Sequence, residues 1–283
     1  MIRLGICNEM FVDWSLPDVC KTVKGLGYEG LELAPFTLAP TINDLSTTRR
    51  GEIRRVIADS GLATIGLHWL LAKTDGLYLT SPDPSVRRRT ADYLRDLAVA
   101  TNDLGGELMV FGSPKQRNLL PGVSFDEAMA YAEDVFATLL PTLDATGVTL
   151  CLEPLAPSET DFLTTIGQAN ALIRRLNHPR FRLHMDVKAQ SGDPGGTVPD
   201  LIRRHAATAA HFHAQDVNLR GPGMGDVDFG PILQALVDSG YDRWVSVEVF
   251  DYTPDPLTIA SESIACLRRE LNNVLRESAP KSA

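Results

Sequence analysis

Four short stretches end in side chains able to bind a cation or move a proton: Cys151-Leu-Glu153-Pro, His184-Met-Asp186, His211-Phe-His213 and Ser246-Val-Glu248. In each, an acid or imidazole closes a short apolar run and polar or turn-forming residues follow. Side chains alternate across a strand, so residues two apart share a face. Cys151 and Glu153 therefore point the same way, as do His184 and Asp186, His211 and His213, and Ser246 and Glu248. Glu153, Asp186, His213 and Glu248 together make a full donor set for one divalent metal. Three carboxylates and one imidazole suit Mn²⁺, Mg²⁺ or Co²⁺. A thiolate-free set argues against structural zinc. Any one of the four would be ordinary alone, because acids often end strands as loop partners and a histidine in an apolar strand is usually a core residue. Their recurrence over four consecutive strands points to metal-dependent chemistry.

Such a set needs a frame that brings four strand ends together. Strand patterns, short and rich in Val, Ile, Leu and aromatics, fall at 2–7, 30–34, 63–68, 107–112, 148–153, 180–186, 209–214 and 244–249. Helical periodicity fills the intervals at 16–26, 50–60, 85–104, 125–145, 164–176, 198–205, 229–239 and 256–273. Gly27, Gly61, Gly105, Gly147 and Gly240 follow helices where a left-handed cap is expected. Ser15, Ser85 and Ser124 read as N-caps. Alternation of eight strands and eight helices predicts a (β/α)₈ TIM barrel, a single domain over 1–276, with a flexible tail at 277–283. A doubly wound sheet fits less well, since no Gly-x-Gly-x-x-Gly follows the first strand. The polar residues also collect at strand C-termini, where a barrel builds its site: Asn8, Glu32, His68, Ser113, Glu153, Asp186, His213 and Glu248.

The bulk composition narrows the function. The 283 residues carry a formal net charge of −9, which argues against a nucleic-acid groove. The arginines at 49–55 and 87–89 read as solvated helix faces. No apolar run reaches the ~18 residues of a membrane span, and the N-terminus enters a strand with no signal pattern. Four scattered cysteines without a CxxC pair read as reduced core residues. These features predict a cytoplasmic protein with no nucleic-acid or membrane partner.

With these residues in place, the chain resembles the xylose isomerase-like TIM-barrel superfamily, in its sugar phosphate isomerase/epimerase group, over nearly its whole length. The ketose 3-epimerase branch holds its metal at positions matching Glu153, Asp186, His213 and Glu248. The resemblance implies a substrate-binding role for Glu159, six residues after the first ligand, and for Arg220 in the loop His213-Ala-Gln-Asp-Val-Asn-Leu-Arg220-Gly, where the arginine is displaced by one residue; Arg220 would hold a substrate oxygen or brace the ligand loop. It also implies a homodimer or homotetramer. One departure stands out: Asp186-Val-Lys188-Ala189 lacks the histidine that the epimerases place three residues after the aspartate, and Lys188 is the candidate to replace it in substrate binding.

The expected chemistry is proton transfer next to a carbonyl. One divalent metal, Mn²⁺ for preference, would act as Lewis acid on a sugar or keto-sugar, and Glu153 and Glu248 would move the proton through an enediolate. Return of the proton gives an isomerase or epimerase. Loss of a β-hydroxyl gives the alternative, a dehydratase or lyase on a keto-sugar or keto-inositol. His68 is a further candidate for substrate contact. Lys115 and Arg117 read as a clamp for phosphate or carboxylate, and Trp14, Phe36 and Trp69 as an apolar wall. A nuclease on the same barrel would need more than the six histidines present.

Overall fold

A computed structural model describes residues 1–277; the expected tail lies outside the described residues except for Glu277, which ends the last helix. The strands are β1 (Arg3–Cys7), β2 (Gly30–Leu33), β3 (Ala63–Leu67), β4 (Leu108–Phe111), β5 (Thr149–Leu152), β6 (Phe181–Asp186), β7 (Ala209–Ala214) and β8 (Trp244–Val247). All run parallel and close in chain order, β8 pairing back onto β1, into a barrel. The helices are α1 (Leu16–Leu26), α2 (Thr47–Asp59), α3 (Pro84–Asp103), α4 (Phe125–Thr146), α5 (Ile166–Leu176), α6 (Val187–Gln190), α7 (Val198–His205), α8 (Phe229–Asp238) and α9 (Pro256–Glu277). This is the TIM barrel expected from the alternation. No helix among the described residues is long and apolar enough to cross a membrane.

Local chemistry sets the boundaries. Ser15 accepts from Asp18 N to start α1, and Ser124 forms a reciprocal capping box with Glu127 to start α4. Gly27 and Gly147 end those helices in the left-handed conformation at φ 97° and 75°. The cap of α3 differs from expectation. Asp83, not Ser85, is the N-cap, accepting from Ser85 N at 2.7 Å. Pro84 supplies the first helical residue, where its missing N–H costs nothing, and this moves the cap back two positions.

The main core lies between the barrel and its helices, around Leu31, Leu97, Phe136, Phe181, Leu233 and Leu267. A smaller cluster of Ile65, Leu108, Val110, Cys151, Ala210 and Trp244 packs separately. Buried polar side chains, among them Glu32, His184, His211 and His213, take over above this cluster. Branched apolar residues usually fill this space, so the upper interior is committed to polar chemistry. All four cysteines are buried and unpaired.

Candidate metal centre and substrate chamber

Register brings the four expected ligands to one level. Asp186 pairs with His213, and His213 with Ser246, two residues before Glu248. Glu153 N donates to Phe111 O at 3.1 Å and Glu248 N to Ala214 O at 3.4 Å, so both extend the sheet one residue past its strand. One donor atom from each of Glu153, Asp186, His213 and Glu248 lies within 4.8 Å of all the others, and all four residues are buried.

Three of the four candidates, Asp186, His213 and Glu248, are oriented by hydrogen-bonding neighbours. Asp186 also caps the short helix α6, which periodicity alone did not reveal. Its Oδ1 accepts from Ala189 N at 2.6 Å, and Gln190 Oε1 accepts from Asp186 N at 2.8 Å. Asp186 Oδ2 is left buried and without a hydrogen-bond partner. His213 places Nδ1 3.2 Å from Glu248 Oε2 and Nε2 3.3 Å from both oxygens of Glu32. Glu32 thus fixes the far nitrogen of the ring, as carboxylates behind metal-binding histidines do. His211 Nε2 also faces Glu32, at 2.8 Å. His68 sits between two acids, with Nδ1 2.9 Å from Glu248 Oε1 and Nε2 3.1 Å from Glu9 Oε2.

The electrostatics suit a divalent cation held among these four residues. Burial, then repulsion from Glu248 and Asp186, raises the Glu153 carboxyl well above the usual range. Burial and Glu248 likewise raise Asp186 to about 6. Burial opposes charge on Glu248 as well, but His213 and His68 outweigh it and hold that carboxyl low. Burial would lower His213, yet Glu248 and Glu32 raise it well above its ordinary value. Its imidazolium supplies positive charge that a bound cation would replace.

A pH prediction follows. Asp186 rises from 3.8 unfolded to about 6 folded, so folding extends its neutral form up to about pH 6. The stability that this group contributes is full below about pH 3.8 and is lost as pH rises through about 6. A cation relieves the resulting charge, so its affinity should climb over the same interval. At pH 7, binding should release a proton from His213 or Glu153. Calorimetric titration with Mn²⁺ in two buffers of different ionisation enthalpy measures the release. Buffer-independent heats would contradict it.

Above the ligands lies a chamber of about 260 Å³, bounded by Glu153, Glu159, Asp186, Lys188, Gln215 and Glu248, with Trp69, Phe250, Gly112, Pro114 and Leu155 completing the wall. Lys188 Nζ pairs with Glu159 Oε1 at 2.5 Å and stands 4.8 Å from the Phe250 ring. Trp69 stacks on Phe250 at 5.1 Å. Gln215 is fully buried and neither amide atom has a hydrogen-bond partner.

Not every sequence candidate reaches this chamber. His68 does not line it, since both ring nitrogens face carboxylates, and its place is behind Glu248. Arg220 also stands outside the lining. Its Nε donates to Asp251 Oδ2 at 2.9 Å and its Nη2 to Thr253 Oγ1 at 3.1 Å, which ties the loop after β7 to the loop after β8.

Arg117 is not a substrate clamp. It is fully buried and donates to the carbonyls of Glu153 at 2.7 Å, Leu163 at 2.9 Å and Phe162 at 3.2 Å. It holds both ends of the loop that carries Glu159. Each buried acceptor left unpaired costs about 1–3 kcal/mol, so Arg117→Met should destabilise the fold by roughly 3–5 kcal/mol in urea unfolding. A change under about 1 kcal/mol would exclude this anchoring role.

Glu9, Glu32, Gln215 and Phe250 went unassigned in sequence. Glu32 carried a signal as a polar strand end, but its action on His213 spans 181 positions. The barrel divides the labour. The four candidate metal ligands come from the ends of β5 to β8, whereas Glu9, Phe36, His68 and Trp69 follow β1 to β3.

The model of the family described as "Xylose isomerase-like TIM barrel" matches residues 20–270. The L-ribulose 3-epimerase of Mesorhizobium japonicum is 29% identical over 262 residues, covering 88% of this chain and 82% of its own. The D-psicose 3-epimerase of Ruminiclostridium cellulolyticum is 24% identical over 242 residues, covering 81% of this chain and 76% of its own. A solved structure described as that of L-ribulose 3-epimerase superposes with a TM-score of 0.87 at 23% identity, covering 100% of each chain, and so shares the fold. The chain belongs to the xylose isomerase-like TIM-barrel family.

Proposed function

We propose that this enzyme is a divalent-metal-dependent sugar epimerase that moves the proton beside the carbonyl of a ketose or keto-sugar. The convergence of Glu153, Asp186, His213 and Glu248 within 4.8 Å carries this reading. The oxygen-rich set with one imidazole suits Mn²⁺, with Mg²⁺ and Co²⁺ as alternatives. The metal, when bound, would polarise the substrate carbonyl and offset charge on the enediolate.

The protein side chains do the rest. Glu153 and Glu248 are pushed in opposite directions by their surroundings, the pattern of an acid and base pair. They take the proton from one face of the carbon and return it to the other. Lys188, Glu159 and Gln215 orient hydroxyls, with Lys188 in place of the epimerases' histidine. Trp69 and Phe250 exclude water. Arg220 braces the loop that follows His213, and His68 holds Glu248 from behind. The relatives named above are epimerases, which favours reprotonation over loss of a hydroxyl. A homodimer or homotetramer in the cytoplasm completes the reading, and four buried thiols suit a reducing compartment.

Proton NMR in D₂O tests it, with Mg²⁺-loaded protein and a panel of ketoses. Deuterium entering beside the carbonyl together with a new epimer supports the proposal. A dehydrated product would move the enzyme to the lyases. Metal-bound protein that exchanges no proton on any ketose would overturn the epimerase reading.

A further inference from the structure

A second chamber of about 540 Å³ opens beside the first. Trp69 is the one residue that lines both. The outer chamber is walled by Trp14, Phe36, Leu38 and Trp69, with Glu9 and Lys73 among its polar groups. Phe36 and Trp69 lie 5.8 Å apart, and Lys73 Nζ sits 4.2 Å over the Phe36 ring.

Two observations mark this chamber as built to hold something. The Glu9 side chain is 1% exposed, and its Oε1 has no hydrogen-bond partner. Oε2 lies near His68 without meeting hydrogen-bond geometry. A buried acceptor left open is costly, and a ligand hydroxyl would satisfy it. The loop that closes the chamber also holds Trp69 at φ 52° and Lys73 at φ 59°. Left-handed backbone costs about 1–3 kcal/mol at residues with side chains and collects at ligand sites.

The chemistry selects the occupant. Aromatic faces suit the C–H faces of a sugar ring, and Glu9 accepts from hydroxyls. A phosphate is disfavoured. The outer chamber sets Glu9 and Asp13 against Lys73 alone. In the inner chamber Lys188 is already paired with Glu159, and the other acids are the candidate metal ligands. Volume agrees: small-molecule sites span roughly 300–1,000 Å³, and the inner chamber at about 260 Å³ falls below that range while the outer one lies within it.

We infer that the substrate is a glycosylated keto-sugar whose reacting unit occupies the inner chamber and whose second, uncharged ring occupies the outer chamber beyond Trp69. The inference rests on the epimerase reading above and specifies its substrate class. The second ring would be joined at the end remote from the carbonyl, because Glu153, Asp186 and Glu248 line the inner chamber and none of them lines the outer one.

D-fructose, D-tagatose and L-sorbose, each free and 6-O-glucosylated, provide the test with metal-loaded enzyme in D₂O. For at least one pair, kcat/KM for exchange should be ten-fold or more higher with the glucosylated member. Leu38→Trp, which fills the outer chamber, should erase that preference and leave free-ketose exchange unchanged. Val12→Trp, on the exposed rim of the same chamber, does the same work if Leu38→Trp misfolds by circular dichroism. Equal or better turnover of the free ketoses would overturn the inference, as would equal loss on both members in a folded variant. Exchange on neither member of any pair would remove the epimerase reading, and the inference with it. Turnover of free ketoses alone would keep the first and discard the second.

Discussion

Replacing Glu153 with Gln is expected to lower kcat/KM for exchange beside the carbonyl by about 10²–10⁴-fold, the usual worth of a positioned acid or base. The fold should not suffer. Burial, Glu248 and Asp186 already favour the uncharged form of this side chain without metal, and an amide keeps its shape while removing the repulsion. Thermal unfolding of metal-free protein should therefore show an unchanged or higher midpoint. Glu248→Gln should separate from it. Glu248 faces His68 at 2.9 Å and His213 at 3.2 Å, and its charged form is the favoured one. The variant gives up two charge-assisted hydrogen bonds, at about 1.5–3 kcal/mol each, along with activity. Exchange should be measured at saturating metal, because each change also weakens a ligand. Full activity in both variants, with metal bound, would remove this pair from proton transfer.

Gly112→Ala should be nearly as damaging to catalysis although residue 112 does no chemistry. A methyl group there would overlap Oε2 of Glu153. The backbone of Glu153 is held by Phe111 through the sheet and by Arg117 at its carbonyl, so relief must come from the carboxylate turning away. A displacement of about 1 Å in a reacting group can cost roughly 10²-fold in rate, and that is the loss expected in kcat. Metal affinity should fall as well. Urea unfolding should move by no more than about 2 kcal/mol, since one methyl is being fitted against a side chain that can rotate. A variant with unchanged kcat would mean that the Glu153 carboxylate has slack in its position.

The candidate ligand set could be picked out in the sequence because a barrel turns sequence order into geometry. Glu153, Asp186, His213 and Glu248 each close an apolar run, and the strands that carry them are neighbours both in sequence and in the sheet. The fold was legible for the same reason: each strand–helix unit announces itself locally through capping residues and periodicity. What failed to show was direction at long range. Arg117 looked like a free cation because nothing nearby in sequence indicates that three carbonyls await it. Arg220 could be read either as a substrate contact or as a brace for its loop, because Asp251, its partner, lies 31 positions away. Helix α6 is too short for periodicity to register. It exists because Asp186 caps it, so its signal was hidden inside a residue already assigned another task. Glu9 and Phe250 gained meaning only once β1 and β8 closed together.

The split between the two halves of the barrel bears on how such a protein can change. The proposed cation and proton chemistry stands on β5 to β8, while most of the wall beyond Trp69 stands on the loops after β1 to β3, with Tyr252 added from the loop after β8. On the proposed reading, changes at Trp14, Phe36 or Leu38 would redraw which molecules are admitted, whereas changes at Glu9 or His68 would reach Glu248. A lineage built this way can trade one sugar for another over time while the reacting centre is inherited intact.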